Sequence, residues 1–247
     1  MYNPQNMREA LSRDFTASKP DDFDGVDVEY TDEKTWSNLT VKCRIKNMPG
    51  REDDQGTRVL KIKIEGVHNR DKAYQYGMRV RLRQVFQRIE YSFSTEYAAL
   101  NSGYGDYVML GDNITGYGKS SILKSFTLVG AVYMLISSEP FDWSAGGVHL
   151  VAIRRPDGTV SGPYIATRLD DYRLTIQKSD FDQDTTGFYP DFESKSEPPF
   201  LQFGPESLWC YPAIITEVNP GGTKYCSVKA VNYDERIYSY DNALADN

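Results

Sequence analysis

A chain of 247 residues is long enough for one large or two small domains, and it can bury most of its unfolded surface without disulfide staples. Its formal charge of −7, from 28 Lys and Arg against 35 Asp and Glu, argues against a dedicated nucleic-acid binder, whose affinity comes from basic residues that neutralise phosphates. Cys43, Cys210 and Cys226 are odd in number and lack a Cys-x-x-Cys spacing, which supports neither a disulfide framework nor a zinc ribbon.

Residues 1–24 are polar and read as an extended N-terminal arm, expected to cross to a neighbour because it has few residues with which to pack locally. The arm lacks the apolar core of a signal peptide, and no run reaches the roughly 18 apolar residues of a membrane span, so the chain is expected to be soluble and made in a cytoplasm. Residues 26–30 and 39–45 alternate as strands about a turn near 32–36, residues 47–58 read as an exposed loop, and 59–64 as a further strand. Over 70–86 two templates compete. Met78, Val80 and Leu82 alternate with Arg79, Arg81 and Arg83 as in a strand, but helical spacing covers more residues and Asn69 with Asp71 offers an N-terminal cap. The spacing therefore predicts a helix despite Gly77, and a strand through Ile89, Tyr91 and Phe93 after it.

From Tyr104 onward the pattern is β: strands over 107–110, 125–136, 148–154, 160–167 and 172–176, with a turn at Arg155-Pro-Asp-Gly-Thr159 where Gly158 can take positive φ. Residues 178–200 read as a long acidic loop, and 213–218 with 225–231 as a hairpin about Pro-Gly-Gly at 220–222. The expected class is α+β, predominantly antiparallel β. An α+β domain is expected over 25–100 and 205–240, a β-rich barrel-like or sandwich domain over 101–204, and a polar tail over 241–247.

Motifs that spell chemistry are incomplete. Gly116-Tyr-Gly-Lys-Ser-Ser121 ends like a phosphate-binding loop, but the required first glycine is Asn113, and β-branched and aromatic residues follow where a helix is needed. It reads as a glycine-rich bend in which Gly116 and Gly118 shape the backbone and Lys119 is solvated or at an interface. Asp180, Asp182, Asp184 and Asp191 fall on positions 1, 3, 5 and 12 of a calcium loop, but Thr185 stands where glycine is needed and Asp191 where glutamate is. A solvated acidic loop is the plainer reading. His68 and His149 lie in unrelated contexts, outside any nucleophile-elbow or zinc motif. The arginines at 79, 81, 83 and 88 read as a face paired with carboxylates or as an anion contact. No catalytic residue, cofactor or metal is expected. The 18 tyrosines suggest extensive protein–protein surface, because tyrosine supplies amphipathic contact area at low entropy cost.

Six segments in order carry a resemblance: Asp24-Gly-Val-Asp-Val-Glu-Tyr30; Asp71-Lys-Ala-Tyr-Gln-Tyr-Gly-Met-Arg79; Tyr104-Gly-Asp-Tyr-Val108; Gly116-Tyr-Gly-Lys119; the run from His149 through Arg155-Pro-Asp-Gly to Pro163; and Val228-Lys-Ala-Val-Asn-Tyr-Asp-Glu-Arg236. Together they resemble the central hub region of the tail tip attachment proteins of long-tailed bacteriophages, the J-type host specificity proteins, over roughly residues 20–240. The resemblance implies a structural, non-enzymatic virion component: a trimeric hub closing the distal tail tube, with helix-plus-sheet domains in a ring and a small β-barrel, joining the distal tail and tape-measure proteins to a host-contacting fibre. It carries no catalytic set. Members of that family are much longer, so a hub divided among chains, or a reduced one without its own receptor-binding part, is expected. The alternatives are a receptor- or glycan-binding tail module, using loop 178–200 with Trp143, Tyr189 and Phe192, and a cell-wall-degrading tail enzyme using acidic residues.

Overall fold

A computed structural model of the chain describes residues 1–19, 22–113, 118–155, 157–181, 188–190, 193, 197–221 and 224–245. In chain order its elements are β1 (Ser12–Phe15), β2 (Gly25–Thr31), β3 (Asn38–Cys43), β4 (Val59–Lys63), α1 (Arg70–Phe86), β5 (Ile89–Thr95), β6 (Tyr107–Leu110), β7 (Lys119–Val129), β8 (Val132–Ser137), β9 (His149–Arg154), β10 (Val160–Arg168), β11 (Arg173–Gln177), β12 (Phe200–Pro205), β13 (Tyr211–Gly221) and β14 (Tyr225–Asn232). The fold is α+β and mostly antiparallel, with a small closed barrel, as the strand periodicity implies. None of the described helices is long and apolar enough to cross a membrane.

The chain forms two compact units, one of Asp14–Glu90 with Asn232–Asn247, the other of Met1–Arg13 with Tyr91–Val231. In the first, β2 pairs antiparallel with β3 and parallel with β4. Val26, Val28 and Tyr30 alternate into the core, and α1 packs across β2 and β3. The helix spans the residues its spacing predicts. The Asn69 side chain caps it by accepting from the N–H groups of Asp71 and Lys72 at 2.9 and 3.2 Å. Ala73, Tyr74, Gly77, Met78, Arg81 and Leu82 make its buried stripe. At Gly77 an added Cβ would lie 2.6 Å from Val28 Cγ2 and overlap Cys43 Sγ, so glycine there sets how closely helix and sheet approach.

The expected polar tail is not free. Asp241 pairs with Arg79 at 2.6 Å, the Gln75 amide donates to Ala243 O at 3.1 Å, and the Ala245 N–H donates to Asp71 at 3.0 Å, so residues 241–245 lie along α1. Short alanines between single polar anchors bind a helix flank without any periodicity that a sequence reading would register.

At the start of β2, Asp24 accepts hydrogen bonds from the Thr57 hydroxyl (2.8 Å) and from the N–H groups of Thr57 (2.9 Å) and Arg58 (2.6 Å), which ties that strand to the chain entering β4. Desolvation raises its carboxyl, but these donors outweigh it and hold it at about 2. A carboxylate depressed in the folded state contributes stability above its unfolded value near 4, and loses it as pH falls through about 2. A carboxyl-detected NMR titration is expected to find Asp24 still ionised at pH 3. A midpoint near 4 would refute the clamp.

In the second unit six antiparallel strands close a barrel in the order β10-β11-β8-β7-β12-β9. Leu123, Leu135, Val151, Ile153, Leu174, Ile176, Leu201 and Phe203 fill it. Phe181 and Phe188, from the expected acidic loop, are buried in the same core, stacked among Phe126, Tyr133 and Tyr164. The loop is thus anchored by aromatics at Phe181 and Phe188 rather than wholly solvated. The Arg155–Thr159 turn forms as expected, with Arg155 N–H bonded to Thr159 O at 2.8 Å and Gly158 at φ +92°.

Two strand expectations are corrected. Residues 125–136 are not one strand but the hairpin of β7 and β8, turned at Gly130 with φ +61°. The run of β-branched and aromatic residues on both sides hides a turn that only Gly130 signals. Residues 200–205, of which Phe200 closes the expected loop and the rest were given no element, form β12, which is buried along its whole length. A strand covered on both faces shows no period-2 alternation, and its Gly204 and Pro205 read as breakers.

The same unit contains most of a second sheet, ordered β1-β5-β14-β13-β6. The hairpin β13–β14, expected to join the helix, is placed instead by the register of Tyr211 opposite Leu110 on β6, and so belongs with the barrel. Part of the expected arm is also packed. The Tyr2 N–H donates to Met109 O at 2.9 Å and Gly111 N–H to Tyr2 O at 2.7 Å, extending β6 by one bridge. Tyr2 OH bonds Ser102 at 2.7 Å, and its ring meets Phe93. Met1 joins Trp209 and Ala152 in a small core, and Asn3 and Asn6 are buried with it. Few apolar residues suffice because the edge of β6 offers backbone partners. Ser12–Phe15, also in the arm, forms the exposed edge strand β1.

Candidate functional site

The most tightly built surface feature is the β2–β3 connection. The Asp32 carboxylate accepts from the Thr35 N–H and hydroxyl, both at 2.9 Å, and from the Lys34 N–H at 3.2 Å. The Thr35 bonds hold it below the usual carboxylate range. Asp32 O accepts from the Trp36 N–H at 2.9 Å and the Asp32 N–H bonds Ser37 O at 3.0 Å. Trp36 is thereby held at φ +51°, left-handed for a bulky residue, with its side chain 75% exposed. Such a backbone state costs about 1–3 kcal/mol and persists only where the surroundings dictate it. The Trp36 ring lies 5.9 Å from His68, whose Nδ1 is 3.1 Å from Thr31 O. The sequence reading placed only a turn here, and the signal for its geometry was Asp32 three residues before Thr35.

A second surface feature is a cleft of about 570 Å³ on the five-stranded sheet, lined among others by Arg8, Ser92, Ser94, Tyr225, Ser227 and Lys229. Arg8 donates to Lys224 O at 3.2 Å and stands over the Tyr225 ring at 5.5 Å, while Lys229 pairs with Glu217 at 2.8 Å. Hydroxyls beside an aromatic face can hydrogen-bond and stack on a polar ligand. Among the described residues, seven of the 18 tyrosines are exposed: Tyr76, Tyr97, Tyr104, Tyr107, Tyr172, Tyr189 and Tyr225. Tyr104, at 82%, and Tyr107 bracket the entry to the edge strand β6.

The residues singled out by the sequence separate in space or in role. Gly118 enters β7, where an added Cβ would overlap Trp209 O and the Gln202 amide. Lys119 is the first residue of that strand, and Gly116 lies outside the described residues. Asp182, Asp184 and Asp191 also lie outside them, as does Phe192, and no group of His, Cys, Asp and Glu among the described residues could hold a metal ion. Of the four clustered arginines, Arg79 pairs with Asp241, Arg81 with Asp54 and Arg88 with Asp22. His149 is buried, stacked on Phe203 at 5.2 Å and close to Trp143, whose ring packs on Phe141 and Phe203. Burial pushes the Cys43 and Cys210 thiols up to about 12, so neither is a ready thiolate. Trp143 is partly buried against the barrel core, while Tyr189 is exposed and edge-on to Phe126. No protein-family model matches the chain, and no curated protein matches it.

Proposed function

We propose that this chain is a structural, non-catalytic subunit of a bacteriophage tail tip, a hub or baseplate component of the virion that self-associates as a trimer and joins the distal tail tube to the host-contacting fibre. The observation that carries the reading is the amount of aromatic surface left open on two otherwise well-packed units, with Tyr104 and Tyr107 beside a sheet edge. Exposed tyrosine is the composition of subunit interfaces, and closure about a threefold axis needs two different faces of one chain. The α+β architecture with a small barrel agrees with what the resemblance to J-type tail proteins implies. A Tyr104→Ser, Tyr107→Ser double variant is expected to fold with stability within about 0.5 kcal/mol of the parent and to disappear from purified virions detected by mass spectrometry. Virions that incorporate the variant as well as the parent, or that lack the parent chain altogether, would overturn the reading.

A second reading has one observation in its favour. The serine-lined cleft with Arg8 and Tyr225 suits a polar or glycan ligand, as a receptor-binding tail module would require.

A further inference from the structure

The sheet of the helix-bearing unit ends in β3, and among the described residues no strand pairs with its outer edge. The bond from Asp32 N–H to Ser37 O makes residues 32 and 37 a bonded pair, so Tyr30 with Leu39 and Val28 with Val41 are bonded too. Asn38, Thr40 and Lys42 then turn their N–H and C=O groups outward. Their side chains lie on the face away from α1, while Leu39 and Val41 share the helix face with Tyr30 and Val28. Val41 and Cys43 are buried there, but Leu39 is 42% exposed, and Trp36 stands beside His68 in its left-handed turn just ahead of the strand. A free edge is usually blunted by charge, a bulge or a cover. Here the one charged outward residue is Lys42, with Asp27 next to it on β2.

A twofold axis through Thr40, normal to the sheet, gives every outward group a partner. It sets Thr40 against Thr40 of the copy, Asn38 against Lys42 of the copy in both directions, and Leu39 against Val41 of the copy. We infer that two copies of this chain pair antiparallel through β3 and join their sheets into one. On the open face one row then runs Lys63, Glu29, Thr40 and, in the copy, Thr40, Glu29, Lys63, while the next sets Lys61, Asp27 and Lys42 against Asn38. No like charges stand side by side in this register, whereas a slip that brought Lys42 against Lys42 would oppose two lysines. On the helix face the exposed Leu39 packs beside the covered Val41 of the copy. A groove of about 310 Å³ beside Thr40, Val41, Lys42 and Tyr74 marks the place of the added strand. A second copy is the occupant this edge matches, because each half of it supplies what the other half lacks. Five paired residues span about 17 Å, well short of the roughly 800 Å² per partner of a standard interface, so association is expected on the order of tens of micromolar. The seam uses none of the residues on which the tail-tip reading rests. A chain that also closes about a threefold axis would form paired rings through it.

The test is sedimentation equilibrium of the full chain over concentrations that bracket this affinity. The average mass of the parent is expected to rise towards twice that of Thr40→Pro, which lacks one outward N–H but keeps the bonds to β2. Thr40→Lys sets two lysines on the axis, each beside Glu29 of its own sheet, and is expected to weaken association about tenfold or more. Thr40→Cys is expected to give a disulfide-linked dimer under mild oxidation, since opposed bonded residues stand about 5.5 Å apart at Cα. Asn38→Cys lies about 13 Å from its counterpart and is expected to give none, as is the parent, whose cysteines are buried or half-buried. If Thr40→Pro does not fold by circular dichroism, Thr40→Lys and the cross-link carry the test. The Tyr104→Ser, Tyr107→Ser variant is expected to keep the concentration-dependent doubling, so failure of the seam and failure of the tail-tip reading are told apart. Masses of parent and Thr40→Lys that coincide throughout would leave the edge to a different partner and overturn the inference. Equal cross-linking from positions 38 and 40, or loss of the doubling in the tyrosine variant, would overturn it as well.

Discussion

Replacing Asp54 by alanine is expected to destabilise the helix-bearing unit by about 3–5 kcal/mol, the cost typical of leaving one member of a buried ion pair alone. The Arg81 guanidinium grips Asp54 through two bonds, Nε to Oδ2 at 2.8 Å and Nη2 to Oδ1 at 2.6 Å, with side chains only 3% and 2% exposed. Asp54 also accepts from the Ile45 N–H at 2.9 Å, so one carboxylate joins helix α1 to the chain leaving β3. Arg81 Nη1 reaches Gln84 and the guanidinium stands 5.8 Å from the Phe23 ring, but neither neighbour is an anion. Truncating Asp54 strands a desolvated cation, which is worse than removing both charges. The Asp54→Leu, Arg81→Met double variant is therefore expected to recover most of the loss. The exposed pair Arg168–Asp171 is the control, since its loss is worth roughly 0–1 kcal/mol. Urea unfolding combined with amide exchange on α1 measures each. An Asp54→Ala loss under about 1 kcal/mol would show that the pair contributes no more than a surface contact.

Gly118→Ala is expected to cost at least 2–3 kcal/mol, roughly the upper range for overpacking, whereas Lys119→Ala next to it should stay within about 0.5 kcal/mol. The asymmetry follows from what each side chain would meet. A Cβ on Gly118 would run into a backbone carbonyl, that of Trp209, and into the Gln202 amide that donates to this same carbonyl at 2.9 Å. On the other side Gly204 is equally confined, its own added Cβ falling 2.9 Å from Gly118 Cα and 2.8 Å from Trp209 Cα. Two backbones and a tryptophan thus meet where neither glycine can gain a methyl group, and a carbonyl in a strand cannot rotate away as a lysine tail could. Gly105, at φ +89° with open space around it, separates the two effects, because alanine there suffers only from its backbone angle. Melting of Gly118→Ala within a degree or two of the parent would refute the close approach.

In the stretch that ends like a nucleotide loop, Gly118 sits at a close approach of backbones and a strand follows from Lys119, and the strand was legible in the β-branched and aromatic residues after it. The helix was legible for the same reason, since Asn69 could cap it and Ala73, Tyr74, Gly77, Met78, Arg81 and Leu82 recur on one face. Where signals were not local, they were lost. The partner of Arg81 lies 27 residues away at Asp54, and a charged residue on the buried stripe reads as polar surface until the fold supplies its carboxylate. β12 has no alternation to detect because the barrel covers one face and Trp209 and Gly118 crowd the other. The first residues dock through the two backbone bonds of Tyr2, and the C-terminal segment through scattered polar contacts at Asp241, Ala243 and Ala245, which leave no pattern. The left-handed Trp36 was equally hidden, because its conformation is imposed by Asp32 and not by its own type.

The proposed tail-tip role is tested most directly by sedimentation velocity of the purified chain, alone and mixed with distal tail and tape-measure proteins of a long-tailed phage. The account expects a trimer of the chain, or a larger complex in the mixture that the Tyr104→Ser, Tyr107→Ser variant fails to form. A monomer under both conditions, at concentrations well above micromolar, would contradict it.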